Sequence, residues 1–136
     1  MNYETVYQTL KTKLLALVPN ASVRLPNEPP AEKTELDIDI FVSEIDDNIF
    51  TEDETQRDVS INLLLSVPVS TGTERIHNIA SRIVMEFNPL QGGSFWTNKR
   101  EHFVRISSAG LRTPNISDDC YQINVRISAI IYQERN

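Results

Sequence analysis

Apolar positions recur along this chain with two periods, and the switches between them divide it into six elements. Tyr3, Val6, Tyr7, Leu10, Leu14 and Leu17 return at the spacing of one helix face. Asn2 stands where it can cap the first turn, and Pro19 ends the pattern. Residues 20–34 carry Pro26, Pro29 and Pro30 among polar side chains and predict an extended loop. In "LDIDIFV" the period drops to two, with Leu36, Ile38, Ile40 and Val42 on one face and Asp37, Asp39 and Phe41 on the other. That alternation predicts a half-buried strand.

A polar stretch, "SEIDDNIFTEDETQR", is longer than a tight hairpin needs. Alternation resumes at Val59, Ile61, Leu63, Leu65 and Val67, opposite Asp58, Ser60, Asn62 and Ser66. After Pro68 and Gly72 the helical period returns, and Ile76, Ile79, Ala80, Ile83, Val84 and Phe87 form a stripe. Thr71 with Glu74 fits a capping box at its start. "NPLQGGSFW" ends this helix in a turn before the aromatic pair Phe95 and Trp96, which suit a core or an interface. "HFVRIS" and "YQINVRISAIIY" predict two more strands, the second with Tyr121, Ile123, Val125, Ile127, Ala129 and Ile131 on one face.

The simplest architecture burying all these faces is α+β: a four-stranded, mainly antiparallel sheet with two helices on one face, in the order α-β-β-α-β-β. At 136 residues the chain fits one domain, residues 1–136, able to bury roughly two-thirds of its unfolded surface without a disulfide or metal. The other sheet face would carry Phe41, Leu64, Ile130 and Tyr132 beside Asp37, Asp39, Arg105 and Arg126. It is too apolar for a solvated face and too polar for a core, which predicts a protein partner.

Charge sharpens this picture. The net charge is −6, yet residues 28–58 hold twelve acids and two bases, a net of −10, so the rest of the chain sums to +4. An acidic chain whose only basic pair after residue 60 is Lys99-Arg100 does not suit binding to nucleic-acid phosphates. Cys120 is the only cysteine, which excludes an internal disulfide framework and fits a reducing compartment. The amphipathic, charged N-terminus reads neither as a signal peptide nor as a membrane span, so a cytosolic setting is expected.

Candidate chemistry is sparse. Asp37 and Asp39 share a strand face and could hold Mg²⁺ for a hydrolase, but no later acidic cluster converges with them. His77 and His102 lack the spacing of a His-Glu-x-x-His metal site. Cys120 has no His partner in sight and stands beside Asp118 and Asp119, which disfavour a thiolate. No catalytic, metal or cofactor-binding set emerges, and a non-enzymatic protein is expected.

The run "SINLLLSVPVSTGTERIHNIASRI" to "EF", the basic-aromatic loop after it, "DDCY" at 118–121 and the closing "VRISAIIYQERN" resemble the small tail-terminator and minor tail proteins of long-tailed bacteriophages. In that family a Thr-Gly turn precedes a helix whose Ile-Ala pair packs on the sheet, and an Asp shortly before an aromatic opens the last strand. Thr71-Gly72, Ile79-Ala80 and Asp118 with Tyr121 occupy those places here. The family pattern often has Trp-Tyr where this chain has Cys120-Tyr121.

The resemblance implies a structural virion protein, assembled in the host cytoplasm, that closes as a ring, usually a hexamer, on the end of the tail tube. There it would stop polymerisation and present the head-joining surface. Its partners would be other copies of itself, the major tail tube protein and the head-tail connector proteins, with no membrane and no sequence-specific nucleic acid. Another neck or tail-completion role stays open. Candidate interface residues are Phe41, Ile49, Phe50, Leu64 and Tyr132. Asp46, Asp47, Glu52, Asp53 and Glu54 form a candidate acidic surface, which reads either as a solvated loop or as an arm whose Phe50 docks while its carboxylates face the DNA channel or basic partner residues.

Overall fold

The structure, a computed structural model, describes residues 3–26, 28, 36–46, 54–69, 72–117 and 119–134. Over these the chain runs α1 (Glu4–Leu17), β1 (Ser22–Arg24), β2 (Asp37–Asp46), β3 (Glu54–Pro68), α2 (Glu74–Glu86), β4 (Phe95–Trp96), β5 (His102–Leu111), β6 (Asn115–Ser117) and β7 (Cys120–Glu134). The strands form one sheet in the order β1-β2-β3-β7-β5-β4, with β6 also pairing with β7. β1 runs parallel to β2, and the other pairs are antiparallel.

This corrects the four-stranded antiparallel sheet expected from the sequence. The four long strands are present as β2, β3, β5 and β7, but β1, β4 and β6 extend them into a mixed sheet that curls as a half-barrel. Strands of two or three residues are too short to display a period, and they exist because a long neighbour offers them backbone partners. Thus Ser22, inside the stretch expected to be a loop, donates its N–H to the Leu36 carbonyl at 2.9 Å and begins β1. The curl has its own cause. β3 and β7 pair without a break from Glu54↔Glu134 to Pro68↔Cys120, and right-handed twist accumulated over such long strands bends the ladder around whatever it packs on.

What it packs on is both helices. Ile61 pairs with Ile127, Leu63 with Val125, and Val104 with Ile131, so the buried side chains of the long strands point the same way. Val6, Leu10 and Leu14 of α1 and Ile76, Ile79, Ala80 and Ile83 of α2 join them in one cluster, which places both helices on the concave face. Each large aliphatic fully buried there contributes about 1.5–3 kcal/mol relative to exposure. The ends of α2 differ from the sequence reading. Thr73 precedes the helix and makes no side-chain cap bond, and Glu74 is the first helical residue; Thr71, the other half of the expected capping box, lies outside the described residues, as does Asn2. Gly72, at φ +84°, makes the turn that a residue with a Cβ would make only under strain.

Beyond α2, the Asn88 side chain accepts the Leu90 N–H at 2.9 Å and opens a 3-10 turn over Pro89–Gln91. Gly93 then passes against the Phe87 backbone, and Phe95 enters the core with its ring 6.4 Å from that of Phe87. Lys13 lies 4.9 Å from the Phe95 ring centroid, where its charge meets the negative face of the ring.

One buried side chain of this core is titratable. His102, 1 % exposed at the start of β5, has Nδ1 3.2 Å from the Thr5 hydroxyl, while Nε2 has no partner among the described residues. Burial pushes its pKa below the ordinary 6.5, against a smaller upward pull from Glu101. The unfolded chain therefore binds this proton more readily than the native one. The associated stability is complete above pH 6.5 and is lost as pH falls from 6.5 toward the native value. Thermal melts between pH 7.5 and 5 should show this loss, and His102→Gln should flatten that segment of the profile while lowering stability at pH 7.5. An equal slope in the variant would mean that other groups carry the acid sensitivity.

Candidate interaction surface

The convex face of the sheet is solvent-facing, and its strand register arranges the side chains in rows. Arg24, Asp39, Leu64 and Asn124 form one row, followed by Phe41, Asn62, Arg126 and Gly110. The next row is all serine: Ser43, Ser60, Ser128 and Ser108. Asp58, Ile130 and Arg105 then precede a last row of Gln56, Tyr132, Phe103 and Trp96.

The register separates the apolar residues expected to act together. Phe41, 44 % exposed, and Leu64 are diagonal neighbours on β2 and β3, near enough to form one contact patch. Tyr132 stands six residues beyond Arg126 along β7, about 20 Å away at ~3.3 Å per residue. It belongs instead to an aromatic ladder. Trp96 lies 5.1 Å from Phe103 and Phe103 lies 6.3 Å from Tyr132 between ring centroids, and Trp96 is 49 % exposed. Phe103 was missed as a surface residue. The signal was available, since alternation in "HFVRIS" sets it opposite Val104, but only cross-strand register shows that it meets Tyr132 and Trp96.

Among the acidic candidates, Asp46 ends β2 opposite Asp58, and Glu54 opens β3 opposite Glu134. Asp47, Ile49, Phe50, Glu52 and Asp53 lie outside the described residues. Both flanking strands run into the stretch expected to be wholly a loop, so Glu54, Thr55 and Gln56 belong to the β3–β7 ladder.

The hydrolase candidates are engaged otherwise. Arg24 grips Asp39 in a fork, Nε to Oδ1 at 2.8 Å and Nη2 to Oδ2 at 3.1 Å. Among the described residues no group of three His, Cys, Asp or Glu side chains is placed to hold a metal ion. His77 Nε2 lies 2.8 Å from the Tyr121 hydroxyl, tying α2 to the start of β7. A cleft of about 790 Å³ between the end of α1 and the start of α2 is lined by Pro19, Asn20, Thr73, Glu74, Arg75 and Arg82 among others. At the middle of the convex face, Arg126 Nε donates to the Ser60 hydroxyl at 3.2 Å, beside a shallow groove of about 360 Å³ formed with Ser108, Gly110, Leu111, Arg112 and Ser128. The face thus presents an apolar patch, an aromatic ladder and a basic groove.

No family model and no curated protein matches the chain. Five solved chains match it, among them one at a TM-score of 0.64 and 12 % identity, covering 100 % of this chain and 97 % of that one. The name under which that structure was solved says nothing of an activity or a partner. The likeness places the chain in the same fold and carries no function with it.

Proposed function

We propose that this chain is a tail terminator of a long-tailed phage, a structural subunit that closes into a ring on the end of the tail tube, stops its growth and offers a surface to the head. One observation carries the reading: residues behind the family resemblance do structural work in the places that resemblance assigns them. Gly72 makes the left-handed turn into α2, Ile79 and Ala80 are buried against the sheet, and Tyr121 stands at the start of β7. The convex face adds support, because its three kinds of patch suit contacts with more than one protein.

The test is tube length. Tube protein from the same phage, polymerised with increasing amounts of this chain, should give tubes that shorten as the ratio rises and carry a ring at one end in negative-stain images. Tubes of unchanged length with bare ends would overturn the proposal. Rings that bound only the head portal would assign the chain to a connector.

A further inference from the structure

The fold gathers on one half of the convex face basic residues that lie scattered in the sequence. Arg105 on β5 sits between the buried Val104 and Ile106, and Arg126 on β7 between the buried Val125 and Ile127, so both point outward. Gly110 pairs with Arg126, and two residues on, Arg112 lines the same groove as Arg126. Lys99 and Arg100 stand exposed in the turn that joins β4 to β5. None of these bases is in an ion pair within the described residues. The acids lie on the other half: Asp39 on β2 is held by Arg24, and Asp58 on β3 is separated from Arg105 by Ile130 of β7. Among the described side chains the outward positions of β5 and β7 carry no acid, and Glu101 enters only in the turn.

Two further features lie along this basic track. At one end is the ladder of Trp96, Phe103 and Tyr132, in which Trp96 is half-exposed. In the middle is a set of hydroxyls. Ser60, 6 % exposed, accepts one bond from Arg126 Nε and another from Asn62 Nδ2, each at 3.2 Å. This leaves the Ser60 proton to donate and both Arg126 Nη groups for a further acceptor. Ser108 and Ser128, paired across β5 and β7, put two more hydroxyls in the groove. Planar guanidinium groups and hydroxyls are the usual contacts of phosphate oxygens, and aromatic faces are the usual platforms for unpaired bases.

We propose that this half of the convex face binds single-stranded nucleic acid without regard to sequence. Bases stack at the Trp96 end of the ladder, and phosphates follow Arg105, Arg126 and Arg112 with the serine hydroxyls donating between them. Tyr132 and Arg126 are about 20 Å apart along β7 at ~3.3 Å per residue. That reach suits about four nucleotides, the lower end of the range for platforms built on strands. A run of carboxylates would use the arginines and leave the ladder idle, and a duplex keeps its bases stacked on one another. The net charge of −6 does not oppose this, because residues 28–58, which hold the acidity, belong to β2, β3 and the segments beside them. The proposal stands apart from the terminator reading.

Trp96 is the only tryptophan of the chain, so its emission reports on the site directly. An oligothymidylate of about twelve nucleotides, labelled at its 5′ end and titrated with the protein at about 50 mM salt, should gain anisotropy and quench that emission. Three neutralised phosphates give a salt slope of about −2, so affinity should fall about twentyfold between about 50 and 200 mM salt. Changing Arg112→Gln and Arg126→Gln together should reduce the steepness of that slope by about 1.4. Trp96→Ala should weaken binding at least about fivefold and leave the slope unchanged. All three side chains are exposed, so both variants should still melt cooperatively. No anisotropy change at about 100 μM protein overturns the proposal. So does a rise in anisotropy without quenching, or a salt slope that the arginine changes leave untouched. Displacement of the oligonucleotide by poly-glutamate of equal charge would assign the face to an acidic protein segment and overturn it too. The tube-length assay judges the terminator reading separately.

Discussion

Ile127→Asp is expected to yield no folded protein. Ile127 is fully buried in β7, between Ile61 of β3 on one side and Ala109 of β5 on the other, with the helices above it. A carboxylate there would be cut off from water among apolar neighbours, at a cost of several kcal/mol whether it stays charged or takes up a proton. Whole domains are stable by only about 5–15 kcal/mol, so the loss is a large fraction of the total. Ile79→Asp should act in the same way from the helix side, since Ile79 packs into the same cluster. Soluble expression of either variant with an unchanged melting temperature would mean that the concave face is not the core.

Gly93→Ala should lower the stability of a protein that still folds, for a different reason. A Cβ at Gly93 would lie 2.6 Å from both the carbonyl carbon and the oxygen of Phe87, closer than such atoms ever approach. The obstacle is backbone, which cannot swing aside as a side chain could. Relief requires the turn after α2 to move, and that turn sets Phe95 against Phe87. Overpacking of this kind costs about 1–3 kcal/mol or more, which corresponds to a fall in Tm of roughly 5–10 °C for a domain of this size. Gly110→Ala is the matched control: its added methyl meets nothing within 4 Å, so a shift of less than about 0.5 kcal/mol is expected. Equal melting temperatures for the two variants would contradict the close approach.

The long elements were legible in the sequence because burial follows local period. Val6, Leu10 and Leu14 on one helix, Ile76, Ile79 and Ile83 on the other, and the odd-numbered residues from Val59 to Val67 are all buried where alternation and helical spacing place them. The convex face was legible as a set of residues, since each core position names its opposite neighbour on the strand. How that set divides was not legible. Phe41 meets Leu64, whereas Tyr132 meets Phe103 and Trp96, because distance across a sheet depends on register and on strand order, and β7 rather than β5 lies next to β3.

The sequence by itself determined the two helices, the four long strands and the side of each that faces the core, since a residue's burial is dictated by its neighbours two, three and four positions away. Only the tertiary structure decided the three short strands, the mixed half-barrel and the pairing of Arg24 with Asp39. A two- or three-residue strand has no period to read. It forms where a long strand, folded from elsewhere in the chain, leaves backbone donors and acceptors that water or another segment must satisfy.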